Sequence, residues 1–118
     1  MSSCTSVAAG VALLLLSSAA QASSEWGRLD WIAVRATDGL VYFGLEVPVY
    51  GGFPPRTPRP PCATQGYWIL GDIAKPAVRL QYDLLIRSQT SGLPVRVDGT
   101  GACGTWPDAE DVETVQLG

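Results

Sequence analysis

Histidine is absent from this chain. Its absence removes the Ser/His/Asp and Cys/His nucleophile arrangements, and with them the one side chain whose ordinary pKa lies near neutrality. Cysteine is scarce, three residues in 118. Without imidazole, a closed zinc site built on two thiolates would need two carboxylates as well, an uncommon ligand set. Positive charge is also in deficit, since eight Lys and Arg face eleven Asp and Glu and leave a net charge of -3. Phosphate neutralisation supplies most of the affinity of nucleic-acid binders, so the balance argues against that class of partner.

Long apolar runs are missing too, except at the N-terminus, where MSSCTSVAAGVALLLLSSAAQA sets an apolar block (Val11 to Leu16) in Ser/Ala-rich surroundings. It closes on Ala20-Gln21-Ala22, a small-residue cleavage pattern, and predicts a signal peptide over 1–22 cut after Ala22. The competing reading is an uncleaved anchor, because the stretch is long enough to count loosely as a span and carries no Lys or Arg ahead of its apolar block. Cys4 leaves with the leader. The remainder, 23–118, is expected to be a single domain, secreted or periplasmic, with no stable membrane insertion after cleavage. It holds every charged residue of the chain. A domain of this size buries roughly 60–65% of its extended-chain surface, so its core is thin and a covalent constraint would help.

Two cysteines survive, Cys62 and Cys103, and in an exported chain an even pair reads as one disulfide. Closing a loop of about forty residues stabilises by roughly 4 kcal/mol in the chain-entropy model.

What is present is mostly extended. Trp26 to Val34 is rich in β-branched and aromatic residues, with Leu29, Trp31 and Ala33 on one side and Trp26, Arg28, Asp30, Ile32 and Val34 on the other. A Thr37-Asp38-Gly39 turn follows and Leu40 to Val47 resumes the pattern, so the chain opens as an antiparallel hairpin. The stretch 48–62, PVYGGFPPRTPRPPC, lacks too many amide donors for a helix or a ladder and reads as a stiff proline-rich loop. GYWILG (66–71) fits a buried strand. Pro76 suits the first turn of a helix that runs to a left-handed stop at Gly92. Its expected inner stripe is Ala77, Leu80, Leu84 and Ser88, with Val78, Tyr82 and Leu85 alongside. Leu93 to Asp98 returns to strand, and Glu110 to Gly118 closes the chain in extended form. The fold class is therefore mainly β with one helix (α+β).

GTGACG (99–104) matches G-x-G-x-x-G after a strand, which raises phosphate binding. Thr105, Trp106 and Pro107 come next, then Asp108, Glu110, Asp111 and Glu113, a setting that repels an anion, and too little chain remains for an acidic ribose ligand. The three glycines are read instead as a chain reversal with positive φ that carries Cys103 to Cys62, with Trp106 covering the bridge. The acidic run is the only candidate for glycoside hydrolysis or calcium, and it matches no EF-hand spacing and lies in no recognisable pocket. The chain is expected to be no enzyme, with no catalytic residue, no metal and no cofactor. Four Trp and four Tyr exceed what so small a core needs, which points to exposed aromatic faces. The candidates for ligand contact are Trp26, Tyr42, Tyr50, Phe53 and Tyr67.

GYWIL (66–70), the helix, and TSGLPVRV (90–97) together resemble the subtilase cytotoxin B-subunit-like family, and the likeness covers about half of 23–118. The resemblance implies a small five-stranded antiparallel OB-like barrel (an oligonucleotide/oligosaccharide-binding fold), assembled as a pentamer that binds glycans. The proline-rich loop and GTGACGTW lie outside that pattern, and no glycan-contacting residue carries over. Two partner classes follow: a glycan, for a B-subunit-like binding module, or a protein, for a periplasmic accessory or inhibitor that uses its stiff loop.

Overall fold

The computed structural model of the chain describes residues 21–46 and 55–118. Nearly all of the expected leader, together with Tyr50 and Phe53 of the proline-rich loop, lies outside the described residues.

Five strands and one helix follow in the order β1 (Ser24–Val34), β2 (Leu40–Glu46), β3 (Trp68–Asp72), α1 (Pro76–Ser91), β4 (Val95–Gly99) and β5 (Glu110–Leu117). The sheet closes in a ring, β1-β2-β3-β5-β4, with β4 returning to β1. Closure is possible because β1 is long enough to serve two partners. Its first residues, Ser24 to Gly27, pair with β4, and Arg28 to Val34 pair with β2. Gly27 marks the change of partner, where a Cβ would stand 2.5 Å from the Glu46 carbonyl oxygen, so the two backbones can approach only without one.

The expectation of a wholly antiparallel sheet is corrected at one seam. β3 and β5 run parallel, Trp68 opposite Glu110 and Ile69 opposite Asp111. Helix α1 and strand β4 lie between them in sequence, which supplies the long crossover that a parallel neighbour needs.

The imperfect alternation of β1 has a local cause. Leu29 pairs with Leu45 but Trp31 pairs with Gly44, so Asp30 is an extra residue, a β-bulge. The bulge reverses facing along the strand. Leu29 and Ile32 both turn to the core, and Trp31 turns out. Gly44 makes room for it, since a Cβ there would lie 2.3 Å from the Trp31 Nε1. The hairpin turn is as read: Gly39 adopts φ 69°, and the Asp38 carboxylate accepts the Leu40 amide at 3.1 Å.

α1 begins on Pro76 and ends on Gly92 at φ 72°, whose amide donates to the Ser88 carbonyl. Its inner stripe is rotated from the expected one. Val78, Leu85 and Ser88 are buried and Tyr82, Leu84 and Ile86 are partly so, whereas Ala77 is exposed and Leu80 is 67% exposed. The Val78-Tyr82-Leu85 spacing is as helical as the Ala77-Leu80-Leu84 one, and the ring selects the row that reaches Leu29, Trp68 and Val115. The Ser88 hydroxyl ties the helix to β1, accepting the Leu29 amide beside the bulge at 3.4 Å and donating to the Leu93 carbonyl at 2.6 Å. Inside the ring lie Val41, Phe43, Trp68, Leu70, Val95 and Val97, each buried.

The disulfide is Cys62–Cys103, with Cα atoms 6.1 Å apart, and it fastens the segment before β3 to the β4–β5 loop. The described end of the proline-rich loop lies against the body: Thr57 donates its amide to the Ser24 carbonyl, and its hydroxyl accepts the Ser24 amide at 2.7 Å.

Candidate functional site

Strand alternation gives β2 and β3 two different faces. Val41, Phe43, Trp68 and Leu70 point into the ring, so Leu40, Tyr42, Tyr67 and Ile69 point out. On most half-exposed sheets the outer row is polar. Here it is apolar and aromatic, and the β4–β5 loop folds over its edge with Ala109 and Trp106. Leu40, Ile69 and Ala109 form a second buried cluster, on which Tyr42, Tyr67 and Trp106 pack while half-buried.

Between these side chains lies a pocket of about 140 Å³ lined by Arg35, Leu40, Tyr42, Tyr67, Ile69 and Trp106. Leu40 and Ile69 make its floor and the three aromatics its walls. Trp31 extends the wall: its ring lies edge-on to Tyr42 at 5.7 Å and to Tyr67 at 6.1 Å, and 39% of its surface stays in water. Tyr42 and Tyr67 are 6.0 Å apart and tilted. This spacing is that of interacting aromatics, so the three rings brace one another at fixed angles.

Arg35 stands at the rim with its guanidinium 5.1 Å from the Trp106 ring centroid. It pairs with Asp38 through two hydrogen bonds, Nε to Oδ1 at 2.9 Å and Nη2 to Oδ2 at 2.5 Å. Those bonds, with the Leu40 amide as a further donor, pull the Asp38 carboxyl down to about 2, and the same pairing raises the Arg35 pKa. The fork fixes the planar cation in place, with the guanidinium carbon over the Trp106 ring at the pocket edge.

Two of the expected contact residues, Tyr42 and Tyr67, are thus brought together. Trp26 is not with them. It pairs with Arg96 across β1 and β4, with that guanidinium 6.0 Å from its ring. Trp31, Trp106 and Arg35 were missed. Trp106, expected over the disulfide, is found in the pocket wall, packed on the Leu40, Ile69 and Ala109 cluster. Trp31 was legible: counting back from the Asp38-Gly39 turn sets it opposite Gly44, a vacancy made for a large ring.

The glycine motif and the acidic run resolve each other. Of the three glycines only Gly101 takes a positive φ, 81°, which corrects the expectation for Gly99 and Gly104. Gly99 is required for space: a Cβ there would sit 1.7 Å from Glu110 Oε2 and 2.8 Å from Trp68. The motif amides do hold anions, and the anions are the chain's own carboxylates. Gly101 donates to Glu110 at 3.0 Å, and Gly104 and Thr105 donate to Asp111 at 2.8 and 3.3 Å. Glu110 is wholly buried and Asp111 partly so, while Asp108 and Glu113 are exposed. The run therefore does not converge on one point.

Comparison of the chain with known protein families, curated proteins and solved structures returns no match.

Proposed function

We propose that the chain is a secreted or periplasmic non-catalytic binding module, an OB-like barrel whose outer β2–β3 face holds a glycan. One observation carries the reading: the pocket of Tyr42, Tyr67 and Trp106 with Arg35 at its rim sits on β2 and β3, between the β1–β2 and β4–β5 loops. In barrels of the OB kind this face and these two loops take oligosaccharides and oligonucleotides. The acidic balance favours the first over the second. Aromatic walls suit the apolar face of a sugar ring, and a fixed guanidinium suits its hydroxyl or carboxylate oxygens. A pocket of this volume takes one terminal residue of a glycan and not a chain of them.

The test is a glycan array probed with the oxidised protein, with Trp106→Ala and Tyr42→Ala as controls. Each variant is expected to lower the affinity for the selected glycan by about tenfold or more while leaving the fold intact. Folded wild-type protein that binds no glycan defeats the proposal, and capture of a protein ligand through the same residues replaces it with the accessory-protein reading. Assembly is a separate claim, read from mass in solution: about five chain masses supports the toxin-like ring, and a monomer removes it.

A further inference from the structure

The most deeply placed carboxylate of the described residues has no part in the pocket. Glu110 opens β5 at 0% exposure, on the inner side of Gly99. Its Oε2 accepts the Gly101 amide at 3.0 Å and the Ser23 amide at 3.1 Å, and its Oε1 accepts the Ser23 hydroxyl at 2.5 Å. Arg56 is the nearest cation, with Nη2 at 3.7 Å from Oε1, beyond a good hydrogen bond. Ser23 is itself wholly buried, while Ala22 and Gln21 are exposed. The chain thus passes from water to full burial at the Ala22–Ser23 bond, the bond that the Ala20-Gln21-Ala22 pattern marks for cleavage.

We propose that Glu110 is the built-in receptor for the α-ammonium group of mature Ser23. Hydrolysis of the Ala22–Ser23 peptide bond adds water across it, leaving a carboxylate on Ala22 and an amine on Ser23 that is protonated at neutral pH. The nitrogen already lies 3.1 Å from Glu110 Oε2. The neutral amide donor becomes a cationic one without movement, and a charge-assisted bond replaces an ordinary one. Loss of the exposed Ala22 opens the two remaining N–H directions to solvent.

The surrounding charges fit this arrival. Arg56 stacks on Trp68 at 4.0 Å and interacts with Glu25 as well as Glu110, so it need not hold Glu110 alone. Glu25 accepts the Trp68 indole N–H at 3.1 Å, and Asp98 accepts the hydroxyl of Ser24. Arg59 is the other cation that acts on Arg56. The three short donors to this buried carboxylate are neutral, and its one cation, Arg56, stands at 3.7 Å and donates to the Ser23 hydroxyl oxygen at 3.3 and 3.4 Å, so Glu110 is better matched when one of its own donors is charged. The proposal rests on leader removal after Ala22 and is independent of what the pocket binds.

The full chain, expressed for export, tests it. Its N-terminus, read by mass spectrometry, is expected at Ser23; a start elsewhere overturns the proposal. The recovered protein is then treated with an amine-acylating reagent at neutral pH. Ser23 and Lys75 are the only amines of the processed chain, and exposed Lys75 serves as the internal reference. The Ser23 amine is expected to react at least about tenfold more slowly in the folded protein than in the reduced, unfolded chain. Glu110→Gln is expected to restore much of that reactivity and to lower Tm by about 5–10 °C. Equal Ser23 reactivity in folded and unfolded wild type overturns the proposal even where the variant fails to fold. Loss of glycan binding with Ser23 still protected would count against the pocket alone.

Discussion

Among the described residues three arginines lie by a tryptophan ring with a carboxylate beside them, and two of these, Arg56 and Arg35, sit in opposite surroundings. Arg56 lies 4.0 Å over Trp68 with Glu110 beside it, in a place where Trp68 and Glu110 are wholly buried. Arg35 lies 5.1 Å from Trp106 with Asp38 beside it, and both charged side chains stay well exposed. At the first site every hydrogen-bonding group finds a protein partner, down to the Arg56 Nη1 donating to the Gly66 carbonyl at 2.9 Å. Burial lowers the Arg56 pKa against the pull of Glu25 and Glu110, the sign of a cation held at a desolvation cost. At the second, the same residue types frame an open pocket. A cation, a ring and a carboxylate make a strut where the ring and the carboxylate are wholly buried, and edge a pocket where the charged pair is exposed.

The largest effect should come from breaking the strut. Glu110→Ala leaves the Gly101 and Ser23 donors without their acceptor and removes a counter-charge from Arg56, and it is expected to cost about 3–5 kcal/mol. Chemical denaturation of the oxidised protein measures it. A loss below about 1 kcal/mol would mean that water replaces the carboxylate and that the buried site is no strut. Arg35→Ala, made in parallel, should leave the unfolding midpoint where it is.

The two regions are joined by the disulfide, since Cys62 follows Arg56 on one loop and Cys103 precedes Trp106 on the other. Cys103→Ser is expected to cost about 2–5 kcal/mol and to make the melting temperature indifferent to reductant. If reductant leaves the wild type unchanged, the staple contributes nothing and the loops are held by hydrogen bonds such as Gln65 N–H to the Asp108 carbonyl.

Gly44→Ala is smaller and strikes the pocket side alone. The added methyl meets the Trp31 indole, so that ring must swing away from Tyr42 and Tyr67, at a cost of about 1–3 kcal/mol. Near-ultraviolet circular dichroism should lose aromatic signal while the far-ultraviolet spectrum holds. An unchanged near-ultraviolet spectrum would place the indole elsewhere.

How legible each region was follows from how local its chemistry is. The Asp38-Gly39 turn, the Pro76 and Gly92 ends of α1 and the Cys62–Cys103 pairing each depend on a few residues near in sequence or on a compartment rule, and all were readable. The strut was not. It needs the parallel β3–β5 seam to bring Trp68 opposite Glu110, and that seam depends on the closure of the whole ring. The acidic run looked like a solvated face because strand alternation, which buries Glu110 and leaves Glu113 in water, becomes visible only once β5 has a neighbour. The pocket was half readable. Tyr42 and Tyr67 follow from aromatic content and Trp31 from its register opposite Gly44, whereas Arg35 and Trp106 reach the pocket from outside the strands, where no periodic pattern places a side chain.

The smallest effect distinguishes the two sites most finely, through the protonation of Asp38. Its carboxyl is held at about 2 chiefly by the Arg35 hydrogen bonds, below an ordinary value of 3.8. A folded pKa below the unfolded one means that the pair's contribution is present above about 3.8 and is lost as pH falls through about 2. Both groups are exposed, so the loss should leave global stability almost untouched while freeing the guanidinium over Trp106. Carboxyl-carbon NMR of the wild type should show Asp38 titrating near 2, and in Arg35→Ala the midpoint should rise toward 3.8, held back by the Leu40 amide that still donates to it. An Asp38 midpoint that does not move with Arg35 removed would show the fork broken in solution. The rim of the pocket would then be a mobile cation and not a fixed one.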